Sequence, residues 1–76
     1  MASHRYALSA EFIELNVLLK VLGLISSGGA AKNLIAAGEV RVDGAVETRI
    51  RRKLRGGQRV ELGDDVVLLV ADEQND

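Results

Sequence analysis

At Gly38 the apolar period of the chain changes from about 3.6 residues to about 2, and this division constrains the fold more than any single motif does. Upstream lies "EFIELNVLLKVLGL", where Leu15, Leu18, Leu19 and Leu22 fall at i, i+3, i+4 and i+7 and make one helical stripe. Glu11 and Glu14 stand near its start, where the helix dipole favours acids, and Gly23 is a natural stop, so a first helix is expected over about 13–22. "SSGG" follows. Ser26 or Ser27 supplies a cap for a second helix, "GAAKNLIAAG", with Ala31, Leu34 and Ile35 facing inward and Gly38 ending it. Leu19, Leu34 and Ile35 are expected to share one core. Downstream, Val40 and Val42 alternate with polar residues. Asp43-Gly44 signals a two-residue hairpin, because a type I′ turn needs positive φ at both positions. Such a tight turn puts Val46 opposite Arg41 on the outer face; a looser loop is the alternative. "QRVEL" and "VVLLVA", joined by residues 63–65, add two strands. The expected architecture is α+β, with two packed N-terminal helices followed by a small antiparallel sheet. Residues 1–10 read as a tail or a short lead-in strand around Arg5–Leu8, and 72–76 as a solvated acidic tail.

Length and composition narrow the function. A chain of 76 residues makes one domain, here 1–76 with its core over about 11–71, and buries only roughly 60% of its unfolded surface. It has no cysteine, hence no disulfide and no thiolate ligand, which fits a reducing cytoplasm. Its apolar runs fall far short of the roughly 20 residues that span a bilayer, and the N-terminus lacks the apolar region of a signal peptide, so no membrane partner is expected. Tyr6 and Phe12 are the two aromatics, too few for base stacking to be the main device. His4 lies in the expected tail, Ser26 and Ser27 have no evident base, and Asp64-Asp65 suits a turn. We therefore expect no enzyme, cofactor, metal or small-molecule substrate.

The charge is unevenly placed. The formal net charge is −1, yet six of the ten Lys and Arg residues fall within 41–57: Arg41, Arg49, Arg51, Arg52, Lys53 and Arg55. In extended form Arg49, Arg51, Lys53 and Arg55 would share one face at roughly 6–7 Å spacing, with Ile50 and Leu54 on the other, and Arg52 breaks the pattern. Like charges in a row oppose folding, so a counter-charge is implied. Glu47, Glu61, Asp64, Asp65 or the acidic tail could supply it internally, or the row could be a solvated edge strand. A polyanion is the external candidate, because a phosphate backbone matches a regular cationic row. The start of the second helix is a candidate second anion site, where Ser27, Gly28 and Gly29 expose amides and Lys32 follows one turn in, although "SSGG" reads first as a capped turn.

These elements together resemble the RNA-binding domain of ribosomal protein S-four. The residues that carry the resemblance are Leu15-Asn16 with Leu19, Ser27, Ala31-Lys32 with Ile35, Gly38, Val40, Val42, Asp43, Gly44 and Gly57, in that order over about 14–62. "VDGAVETR" is similar to small free-standing bacterial members. The resemblance implies a helix-turn-helix-like αL motif that binds structured RNA: ribosomal, transfer or small RNA, in ribosome or RNA metabolism. A monomer is expected. By position, the RNA-facing residues would be Ser27, Gly28, Gly29, Lys32, Arg41, Arg49, Arg51 and Lys53, to which the basic row adds Arg52 and Arg55. The family usually has Arg or Lys where this chain has Gly28 or Gly29, Asp where it has Asn16, and Asp where it has Gln58; more of the contact therefore falls on 49–55. Two other classes fit less well. A DNA-binding helix-turn-helix needs several base-reading side chains, and the second helix offers Lys32 and Asn33. A protein-interaction module would use the basic row or the acidic tail.

Overall fold

The chain folds into two helices and two sheets of different size. In the computed structural model, which describes residues 2–71, the chain runs β1 (Ala2–Leu8), β2 (Ile13–Glu14), α1 (Leu15–Val21), α2 (Gly28–Ala36), β3 (Val40–Val42), β4 (Ala45–Val46), β5 (Lys53–Leu54), β6 (Arg59–Leu62) and β7 (Asp65–Ala71). Five strands form one sheet in the order β1-β7-β6-β3-β4, and β2 pairs with β5 in a second. The class is α+β, as expected, with two corrections. The helices lie mid-chain, after two strands, and the large sheet is mixed. Its departure from antiparallel is β1, which runs parallel to β7 in the register Ala2↔Asp65 to Leu8↔Ala71. A parallel neighbour needs a long crossover, and here the whole chain from 9 to 64 supplies it. No local turn signal announces such a pairing. Residues 1–10 therefore contribute a strand longer than the Arg5–Leu8 segment, and its Leu8 is buried in the core. The acidic tail at 72–76 lies outside the described residues.

The first helix also starts later than its periodicity suggests. Ile13 and Glu14 pair with Leu54 and Lys53 instead. The amides of Leu15 and Asn16, orphaned at the helix start, donate to the carbonyls of Arg52 (2.9 Å) and Ile50 (3.1 Å). Segment 50–54 thus lies along the head of α1. Both helices end in a glycine turn: Gly23 donates to the Lys20 carbonyl and Leu24 to Leu19, and Gly38 donates to Ile35 and Glu39 to Leu34. Ser27, not Ser26, caps α2, its hydroxyl oxygen accepting from the Ala30 amide at 3.2 Å.

Leu15, Leu18 and Leu19 of α1 meet Ala31 and Ile35 of α2 and Val40, Val42, Val60, Val67 and Leu69 of the large sheet in one core. Leu54 of β5 is buried in the same cluster. Each fully buried aliphatic side chain contributes about 1.5–3 kcal/mol by leaving water. Leu19 and Ile35 sit at the centre as expected, while Leu34 is half-buried and packs on the margin. The hairpin is the tight form. Asp43 (φ 52°) and Gly44 (φ 86°) both have positive φ, and Arg41 lies opposite Val46, which is 51% exposed. No described helix is long and apolar enough to cross a membrane.

Candidate nucleic-acid interface

The cationic segment is organised by a carboxylate. Beyond β4, the Glu47 amide donates to the Val40 carbonyl (2.9 Å), which carries its side chain inward until the residue is only 6% exposed. Oε2 accepts from the backbone amide of Arg49 (2.9 Å) and from its Nε (3.0 Å). Oε1 accepts from Arg49 Nη2 (3.1 Å) and from Arg52 Nη1 (2.5 Å). The Arg49 side-chain bonds lead in drawing the Glu47 carboxyl down to about 2, against the opposing effect of burial; the Arg49 amide and Arg52 add to the depression. The chain therefore wraps around an anion, and Arg52 N–H donates to the Arg49 carbonyl (3.2 Å) to close the turn.

This corrects the extended row. Only Lys53 and Leu54 are in a strand; residues 47–52 form an irregular turn. An extended chain would point Arg49 and Arg52 to opposite faces, whereas both must reach Glu47, so the backbone turns. The turn still gathers the charges. Arg49, Arg51, Arg52, Lys53 and Arg55 line one shallow concavity of about 540 Å³. Arg51 Nε meets both oxygens of Glu14 at 3.3 Å. Lys53 Nζ and the Arg55 guanidinium stand 4.9 and 5.7 Å from the Phe12 ring centre, within reach of its negative face. Three of the five cations thus pair with the carboxylates of Glu47 or Glu14, and neither Lys53 nor Arg55 has an ion pair among the described residues. Gly56 lets the segment close on the sheet: a Cβ there would lie 2.8 Å from the Ala71 backbone nitrogen.

The other expected residues lie elsewhere. Arg41 is on the outer face of β3, with Nη1 donating to the Gly44 carbonyl at 3.4 Å. Beside that hairpin, Asp43, Gly44 and Arg59 line a separate concavity. Lys32 is exposed on α2, and Ser27, Gly28 and Gly29 form its exposed start; none of these four lines the concavity of 49–55. Sequence reasoning named Glu47 only as one of several neutralising acids and did not connect Phe12 or Glu14 with the site. The Glu-x-Arg spacing at 47–49 was the readable sign of the first. Nothing local signals the other two, since the β2–β5 pairing brings them there from 37 residues away in the case of Glu14 and Arg51.

Comparison with known proteins agrees with this architecture. The S4 domain profile matches residues 6–70, nearly the whole chain. The chain belongs to the S4 domain family. Its relatives include the YbcJ proteins of Escherichia coli (strain K12) and Shigella flexneri, each 51% identical over 59 residues, which cover 78% of this chain and 84% of theirs. A solution structure of YbcJ from E. coli, described as revealing an αL motif involved in RNA binding, aligns with a TM-score of 0.67 at 45% identity, covering 93% of this chain and 89% of that one. In this S4 domain the αL helices are α1 and α2, and the concavity lies against the head of α1.

Proposed function

We propose that this chain is a non-enzymatic protein that binds structured RNA, acting as a single-domain cytoplasmic monomer, with the 49–55 concavity as its main contact. The observation that carries the reading is that concavity, where five cations converge and, among the described residues, two carboxylates pair with them. Family membership and the RNA-binding motif described for YbcJ support it. Arg49 and Arg51 are 71% and 78% exposed at their side chains, so each keeps guanidinium edges open beyond its carboxylate. Planar guanidinium groups match phosphate oxygens in pairs. A-form RNA hides its base edges in a deep groove, so binding should follow the shape of a stem more than its sequence. Lys32 with the Ser27–Gly29 turn, and Arg41, would make flanking phosphate contacts where a large RNA extends beyond the concavity. Ribosomal, transfer and small RNAs all present the stems this site would take.

The test is a titration against a stem-loop RNA over a range of salt. Each duplex phosphate neutralised contributes about 0.9 to the log–log slope, so three to five contacts give a slope of about 2.7–4.5. The informative variant is Lys53→Gln with Arg55→Gln, because these cations have no carboxylate partner to leave behind among the described residues. It should weaken binding at least about tenfold and lower the slope by nearly 2. A folded double variant that binds like the wild type would make the concavity a merely solvated surface.

A further inference from the structure

We infer that Glu47 is a positioning residue, which holds the Arg49 and Arg52 guanidinium groups in the orientation that receives RNA phosphate. The inference rests on the reading of the concavity as a phosphate site and adds to it the element that shapes the site. An arginine side chain has many rotamers, and fixing them at the moment of binding weakens affinity. Here the fixing is done in advance. Glu47 takes Nε and Nη2 of Arg49 side-on and Nη1 of Arg52 end-on. Five N–H donors sit on each guanidinium, so both groups keep free donors for a ligand. Glu47 is itself held by its backbone bond to Val40 in the sheet. The sheet thereby sets the carboxylate, and the carboxylate sets both cations.

Charge counting and preorganisation make opposite forecasts. If the concavity were simply a pool of positive charge, Glu47 would be a defect, and Glu47→Gln would tighten binding by removing a repelled anion. If Glu47 positions the arginines, the same isosteric change weakens binding although the net charge becomes more positive. Two freed arginines should cost about tenfold in affinity.

The experiment measures binding of a stem-loop RNA, and separately of inorganic tripolyphosphate, to the wild type, Glu47→Gln and Glu47→Asp. It is run at a temperature where circular dichroism shows each protein folded. Glu47→Asp keeps the charge but is a methylene too short to reach both arginines, and it takes over the comparison should Glu47→Gln not fold. The expected result is weaker binding by both variants. In an Arg49→Gln, Arg52→Gln background the effect of Glu47→Gln should vanish, because nothing remains to be positioned; a structural role exerted through the Arg49 backbone amide, which that background keeps, would leave the effect in place. A folded Glu47 variant that binds as tightly as wild type, or an undiminished effect in the arginine-free background, overturns the inference. Wild type that binds tripolyphosphate but no stem-loop overturns the RNA reading alone, and Glu47 is then judged on tripolyphosphate. Wild type that binds neither overturns both.

Discussion

The hairpin at 42–45 and the turn at 47–52 are adjacent in the chain, and each is governed by one carboxylate, yet the two acids work in opposite directions. At the hairpin the backbone is fixed locally, by Asp43-Gly44, and the carboxylate then makes a long-range tie. Asp43 Oδ1 accepts from the Arg59 amide (2.9 Å) and Oδ2 from Gln58 Nε2 (3.1 Å), fastening the hairpin to the start of β6. At 47–52 no dipeptide fixes the backbone. Glu47 bonds residues two and five positions on, and those side-chain bonds determine the turn. The first acid uses a turn; the second creates one. Removing Glu47 should therefore damage the fold more than altering Asp43.

The largest effect is expected for Glu47→Ala. It strips the acceptor from four N–H groups and leaves the half-buried Arg52 guanidinium unpaired, so stability should fall by about 2–3 kcal/mol in chemical or thermal unfolding. Acid should mimic the change. The folded carboxyl titrates near 2, below the ordinary value of 4.5, so its stabilisation is complete above about pH 5 and is lost as pH falls from there towards 2. The loss from this group should be about 2 kcal/mol, less than the full shift implies because Arg49 is solvent-screened. An Arg49→Gln, Arg52→Gln variant should show a much flatter acid limb in urea unfolding, and an unchanged limb would break the contrast.

A smaller effect is expected at the hairpin backbone. Gly44 has φ 86°, which a β-branched residue adopts with strain, so Gly44→Val should cost about 1–2 kcal/mol by thermal unfolding. The smallest should come from Asp43→Asn. The turn type accepts Asn and Asp alike, which makes this change neutral for the backbone. The carboxylate is not neutral, however. Hydrogen bonds from the Arg59 amide, and then from Gln58, hold the Asp43 carboxyl below its ordinary value. An Asn amide would offer one acceptor where there are two and would set an N–H₂ against that of Gln58. Reorienting Gln58 would break its Oε1 bond with the Arg55 amide (2.8 Å). The melting temperature should drop, but less than for Gly44→Val; the reverse order would show that the tie to β6, not the turn, dominates the hairpin.

Legibility in the sequence followed the range of the forces. The leucine stripe at 15, 18, 19 and 22, a serine cap and the Asp43-Gly44 turn are decided by neighbours within a few residues, and all were readable, save the choice between Ser26 and Ser27 and between a tight turn and a looser loop. The β1–β7 pairing and the replacement of the first residues of helix one by β2 are decided by residues more than 35 positions away, and "ASHRYAL" or "FIEL" holds no trace of them. The candidate site was readable as a set of cations, because five of the named residues line the concavity. Its shape was not readable, because alternation at Ile50 and Leu54 suggested a strand while Arg52, the residue out of pattern, was responding to Glu47. Arg41, Lys32 and the Ser27–Gly29 turn fell outside it because their elements lie apart from that turn.

The parallel pairing of β1 with β7 has a further consequence, for the order in which the molecule can assemble. The partner of Ala2 is Asp65 and the partner of Leu8 is Ala71, so each residue of the first strand waits for one made 63 positions later. At roughly 5–20 residues per second of synthesis, that wait lasts roughly 3–13 s. During it β3 and β6 can already pair, since the contacts between them are shorter in range. The first strand made is thus the last to dock, and the loop its docking closes is the longest in the fold. Folding traps that set in before docking should leave β1 unprotected against amide exchange while the αL helices are already closed.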